Sequence, residues 1–526
     1  MRYNLYFLTI SLIINGNLFA QDSLFSQEKL IQDTREIIRI IDTVHPDPYI
    51  NGGGKIAFHR RFHNILKGIP IEGMSLNDFY KLLLPIVANI RDLHTFLIQP
   101  NLNNRSVLPL EFKIIDNKLF IAGIYSKDHY KLYNSSLYSV EGILYPELVN
   151  RLKDISGFEN EVGYISKLKE YLKSRFLFKM LIPEWSEIRP VTTEFINQDG
   201  QRILEQFIVS DSLGKPIYKN SNIKIPSTDQ VSIAYNFIDD KRKTAILCVK
   251  NMWSSREDLE ISKYFSNNPE DIKNLDLKIP KSQSASDLFR QLSIDMKKAR
   301  SNTLIVDLRG NLGGSDLTAY IFCYYFFKLP DVLNKSPDLS VRKYSDLMLK
   351  QVNFPIQDMN KTRELKLEIG DYDFQSEDNL SNNNSSALAL KEIENYFKMS
   401  PTFWKEYDIK KYQSYYTPSN IYVLVDSDVF SAAFSFTVIL FKAGAKLIGT
   451  PPGQAGNCFI ESPTFELPNT KLKIRVSDQY MISFPNDPDK GKLLYPDYLL
   501  TYDKYKSYNF DPNSEVLFAL DIIEGI

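Results

Sequence analysis

Cysteine is scarce in this chain of 526 residues: Cys248, Cys323 and Cys458 are too few and too scattered for a disulfide framework. None stands in a C-x-x-C pair, so no structural metal is expected. A surplus of one charge is lacking as well. Lys plus Arg number 63 against 64 Asp plus Glu, a formal charge of -1, which leaves no basic excess to hold a nucleic-acid backbone. Long apolar runs are absent beyond the first twenty residues, so no membrane-spanning helix of about 20 residues is expected in the mature chain. Histidine is also rare, and a catalytic imidazole must come from His45, His59, His63, His94 or His129.

What is present is an ordinary globular mixture, 43% hydrophobic and 24% charged, which excludes disordered, collagenous and coiled-coil chains. The length implies about two to four domains, or one domain with large insertions. Aromatic residues make up 13%, with 31 Tyr and 33 Phe, as suits β structure and an aromatic-lined groove. Residues 1–20 combine Arg2, an apolar run from Leu5 to Ile14 and Ala20, the grammar of a signal peptide. An exported protein, periplasmic or secreted, is the expectation. No Cys follows the run, so a lipid anchor is not supported, and the bulky Leu18 leaves the cleavage point loosely set.

Residues 21–100 read as a helical region: LIQDTREIIRIIDTV carries apolar residues three and four apart, and SLNDFYKLLLPIVANI opens on the capping residue Ser75. Residues 105–185 form a compact β-rich module with the helix-like LYPELVNRLKDI. The remainder, 190–526, shows α/β grammar twice. The first unit runs from the amphipathic SASDLFRQLSIDMKKA into the buried strand and Gly turn NTLIVDLRGNLGG. The second is strand, turn, apolar helix and strand in IYVLVDSDVFSAAFSFTVILFKAGAKLIGT. Between them, 330–418 is long and polar and reads as an insertion, with the run EDNLSNNNSSA at 377–387.

Three segments carry candidate chemistry. Ser431 stands at the first turn of an apolar helix after a strand, where the helix dipole favours negative charge and the N–H of Ala432 lacks an intrahelical partner. The same position suits a plain helix cap. Gly313 and Gly314 end a turn whose N–H groups are able to bind an oxyanion, although a Gly-Gly turn is also a common structural device. Asp307 and Arg309 are expected to brace that turn through charge-assisted bonds. His94, between a helix and a strand-like run, suits either a packing or a catalytic role.

Taken in order, Asp92-Leu-His-Thr95, LIVDLRGNLGG, FSAAFSF with LIGTPPG, and Gly491-Lys-Leu-Leu-Tyr-Pro-Asp497 with SEVLFALDII resemble the tail-specific, C-terminal processing family of serine peptidases. Within it they resemble the tricorn-like branch. The resemblance implies a crotonase-like sheet-and-helix core (ClpP/crotonase type) with an N-terminal helical region and a diverged PDZ-like module at 105–185. It also implies Ser431 as nucleophile, His94 as general base, and an oxyanion hole from Ala432 with Gly313 or Gly314. Substrates would be polypeptides or oligopeptides, with no cofactor. Two departures stand out. The loop 449–458 has no Lys where the Ser-Lys branch carries one, and Leu93 replaces the Ser that precedes the His in the tricorn-like branch. For the carboxylate that orients the imidazole, the late segment offers Asp487 and Asp489. The alternative is a non-catalytic protein that binds apolar ligands or peptides on the same scaffold. An esterase is disfavoured by the absence of a G-x-S-x-G elbow around Ser431.

Overall fold

The computed structural model describes residues 24–525 except 101–105, 187, 211–212, 267, 336–338, 352–354, 364, 375–384 and 408–415. The segment 1–20, expected to be a signal peptide, and most of the polar run at 377–387 lie outside the described residues. The architecture is mixed α/β, with four sheets and helices distributed along the chain.

The amino-terminal helices Gln27–Val44, Gly54–Gly68 and Leu76–Ile90 form where apolar residues recur at helical spacing, and they bury Ile37, Ile41, Phe79 and Leu83 in a shared core. Ser75 caps the third helix by accepting the Asp78 N–H at 3.2 Å. Next comes a seven-stranded sheet built from Leu110–Ile115, Lys118–Ile124 and Ser136–Val140, and completed by Val191–Ile196 and Arg202–Phe207. The expected module limit of 185 is therefore too short. Leu137 pairs with Phe195 and Val140 with Thr193, so strands assigned by sequence to the core complete the module's sheet instead.

The central sheet has six strands in the spatial order Tyr498–Leu499, Lys446–Gly449, Asn420–Val425, Thr303–Asp307, Thr244–Val249, Ile233–Phe237. All pairs are parallel but the last, which is antiparallel. Thr303–Asp307 and Thr244–Val249 are buried along their whole length, as strands covered on both faces must be. One face packs on Phe289, Phe322 and Phe436 and the other on Val516 and Ala519. Because Thr303–Asp307 and Asn420–Val425 are adjacent, parallel and in register, their exit turns emerge side by side at the carboxyl edge of the sheet. Among the described residues no helix is long and apolar enough to cross a membrane.

Candidate active site

The two exit turns are joined by hydrogen bonds. The Gly310 N–H donates to Asp426 Oδ1 at 3.0 Å and the Phe430 N–H to the Asn311 carbonyl at 3.1 Å, while Asn311 Nδ2 ties the first turn to the neighbouring strand through the Val249 carbonyl at 2.8 Å. Arg309 braces the first turn as expected, with Nε and a terminal nitrogen on the two oxygens of Asp307 at 2.8 and 2.6 Å. Its other terminal nitrogen reaches Glu515 Oε2 at 2.6 Å. Burial alone would raise the Glu515 pKa, but Lys113 and Arg309 hold it down to about 2.

Ser431 closes the second turn and precedes the helix Ala432–Lys442. Its backbone lies at φ 53, ψ -128, a region that costs a non-glycine residue about 1–3 kcal/mol. The hydroxyl makes no capping bond, so Ser431 is not serving as an ordinary cap. Gly313 packs directly on it: a Cβ at Gly313 would stand 2.8 Å from Ser431 Cβ, 2.8 Å from the Ala432 nitrogen and 2.5 Å from the Phe430 carbonyl oxygen. With φ 93, position 313 suits glycine on conformational grounds as well. Two strands distant in sequence thus bring Ser431, Gly313, Gly314 and Ala432 together. The Gly313 N–H is taken by Asn311 Oδ1 at 2.8 Å. Among the described residues the N–H groups of Gly314 and Ala432 have no acceptor, so these two remain to meet an anion.

His94 reaches the same place from the amino-terminal third. Its ring stacks on Phe430, the residue before Ser431, with centroids 4.8 Å apart and planes at 24°. The loop that carries it is pinned by Asp92. Oδ1 of Asp92 accepts the His94 N–H at 2.8 Å, while Oδ2 accepts Ser477 Oγ at 2.7 Å and lies 3.2 Å from His45 Nε2. His45 Nδ1 accepts the Asp47 N–H at 3.1 Å, which leaves Nε2 to carry the proton donated to Asp92. Phe96 pairs with Arg475 and the Ser477 N–H donates to Thr95 Oγ1 at 3.0 Å, tying the loop to the late part of the chain.

Burial pushes the His94 pKa from 6.5 down to about 4, with Asp92 opposing the fall and Arg475 adding to it. The imidazole is therefore neutral at neutral pH, with Nδ1 buried and unpartnered. For Asp92, burial would raise the pKa, but His45 and His94 hold it below the ordinary value. Glu159 accepts the Leu93 N–H at 3.2 Å, and burial beside Asp92 raises its pKa to about 8.

Asp487 and Asp489 stand elsewhere. Asp487 caps the short helix Pro488–Lys492 and pairs with Lys490 Nζ at 2.6 Å, and Asp489 is exposed. No hydrogen bond joins either to His94 among the described residues; the carboxylate whose charge bears on the imidazole is Asp92, from the same motif. The loop expected to lack a catalytic Lys instead supplies Gln454, whose Oε1 accepts the Ser431 N–H at 2.5 Å. Sequence reasoning passed over His45, Ser477, Glu159 and Gln454. Only His45 had a signal, its membership of a set of five. Among the described residues no group of three or more His, Cys, Asp or Glu is placed to hold a metal ion.

The fold is similar to that of mature CPAF, with a TM-score of 0.56, 14% identity, and 95% of this chain and 99% of that one covered. It is also similar to mature CPAF complexed with lactacystin, with a TM-score of 0.54, 14% identity and the same coverage. At that identity the likeness is one of fold. No curated protein matches the chain. Residues 275–483, less than half of the chain, match the model of peptidase family S41, so this part of the chain is similar to the serine-type peptidases of that family.

Proposed function

We propose that the chain is an exported serine peptidase that cleaves polypeptides or oligopeptides through an acyl-enzyme, with Ser431 as nucleophile and His94 as base. The observation that carries this reading is the convergence on Ser431. A strained serine with an uncommitted hydroxyl lies against Gly313, and the ring of His94 stacks on the residue before it. His94 takes the proton of Ser431 Oγ as that oxygen attacks the peptide carbonyl. The N–H groups of Ala432 and Gly314 receive the oxyanion, and His94 returns the proton to the leaving amine before water, deprotonated in the same way, releases the acyl group. Deep burial of His94 weakens it as a base but keeps it unprotonated, and Asp92 stabilises the imidazolium that forms in transit.

Export rests on the pattern of residues 1–20. The six-stranded sheet is read as a crotonase-like core. The sheet of 110–144 and 191–218 is read as a diverged PDZ-like module able to take a chain end by strand addition. The purified mature chain is expected to degrade an unfolded polypeptide such as reduced casein, and Ser431→Ala to leave it intact. Equal degradation by both would remove Ser431 from the chemistry.

A further inference from the structure

We infer that Gln454 is a positioning residue of the active site, acting on Ser431 through the nucleophile's own backbone N–H. This rests on Ser431 being the nucleophile. A non-glycine residue persists at φ 53, ψ -128 only where its surroundings over-determine it, and the bonds around Ser431 show what does so. The Phe430 N–H is held by the Asn311 carbonyl at 3.1 Å, and the Ser431 carbonyl accepts the Ser435 N–H at 2.9 Å. Both are backbone bonds that any residue at 431 would make. The third tie, Ser431 N–H to Gln454 Oε1 at 2.5 Å, comes from a side chain 23 residues downstream.

That side chain is itself fixed. Gln454 is only 4% exposed, its Nε2 donates to Cys458 Sγ at 3.7 Å, and the Ser431 N–H, a donor only, requires that Oε1 be the end that faces it. Burial raises the Cys458 pKa well above the ordinary value, so the sulfur stays a neutral thiol. The loop around Gln454 is tied to the nucleophile's own turn, with the Gly453 N–H on the Ser427 carbonyl at 3.1 Å and the Thr450 N–H on the Val425 carbonyl at 3.2 Å. An acceptor oxygen held this way does two things. It keeps the Ser431 backbone in the conformation that frees Oγ from capping. It also commits the Ser431 N–H, so that an oxyanion meets Ala432 and Gly314 instead.

The test is the kinetics of inactivation by a fluorophosphonate, read as kinact and KI, on the full mature chain, with cooperative melting as the check on folding. Gln454→Met keeps the length and volume but has no acceptor, and kinact is expected to fall about 10- to 100-fold with KI unchanged. Gln454→Glu keeps an acceptor oxygen at the same reach and is expected to label nearly as fast as the wild type. A merely structural glutamine would lower folding stability without this split between the two variants. If Gln454→Met does not fold, Gln454→Asn, one methylene short, is expected to show the same loss. Ser431 labelled in the wild type and equally fast without the acceptor would overturn the inference and leave the serine-peptidase reading intact. A folded wild type that is not labelled at Ser431 would overturn both.

Discussion

His94 and Phe430 stack with ring centroids 4.8 Å apart, and this contact places the His94 imidazole beside the residue that precedes Ser431. The proposed base is thus located by an aromatic face and by a loop that Asp92 holds, while no carboxylate grips its ring directly among the described residues. Replacing Phe430 by Ala is expected to cost more in kcat than in KM, because the imidazole loses its support while the cleft keeps its other walls. Steady-state kinetics on a peptide substrate reads the split.

The acid limb of the pH profile reports His94. The ring acts as base only when neutral, so activity is present above its pKa and is lost as pH falls through it. Burial sets that pKa at about 4 instead of 6.5. The kcat/KM of the free enzyme is therefore expected to hold from neutral pH to about 5 and to halve near 4, an acid-shifted limb for a histidine enzyme.

Gly313→Ala is expected to lower kcat/KM by about 100-fold or more. Its Cβ would meet the Phe430 carbonyl oxygen at 2.5 Å and the Ala432 nitrogen at 2.8 Å, and neither backbone group can swing away as a long side chain would. The turn must shift, and Ser431 with it. Loss of fluorophosphonate labelling with an unchanged far-UV spectrum checks this.

Asp92→Asn places an amide nitrogen where Oδ2 now accepts from Ser477 and from His45, so two or more buried donors face a third. The expected cost is about 2 kcal/mol of stability. Slower labelling of Ser431 should accompany it, because the same side chain holds the His94 N–H. Denaturant melts and labelling rates on one sample measure both.

Glu515 links the carboxyl-terminal helix to Arg309 and to Lys113. Its folded pKa of about 2 lies below the ordinary 4.5, so its stabilising contribution is whole above about 4.5 and is lost as pH falls toward 2. Glu515→Ala takes the carboxylate from Lys113 and leaves Arg309 to the Asp307 carboxylate, and is expected to destabilise by about 3 kcal/mol at neutral pH. Its urea midpoint should change less with pH between 4.5 and 2 than that of the wild type.

Local pattern made much of this legible. The run 303–314 and the run 420–449 announce buried strands, a Gly turn and an apolar helix in their own residues, because a strand covered on both faces must be apolar throughout. The same pattern marked Ser431 and both glycines. It left nucleophile and cap open at Ser431, and the backbone at φ 53 and the uncommitted hydroxyl argue against the cap. The strands 191–207 show alternation but not their partners, and their pairing with 136–140 decided which sheet they join. The resemblance implies an orienting carboxylate late in the chain, where the sequence offers Asp487 and Asp489. The charge on the imidazole comes instead from Asp92, whose contacts to His45 and Ser477 span 47 and 385 residues and leave no mark on local sequence. Gln454 carries no motif of its own, and its bond to the Ser431 N–H spans 23 residues and leaves no mark on local sequence.

The most direct measurement incubates the purified mature chain with a fluorophosphonate and maps the modified residue by mass spectrometry, with Ser431→Ala and His94→Ala alongside. Modification at Ser431 that disappears in the first variant and is slowed at least about 1,000-fold in the second is the predicted result. A folded wild-type chain that takes no label at Ser431, or a His94→Ala chain labelled as fast as the wild type, would contradict the assignment of nucleophile and base.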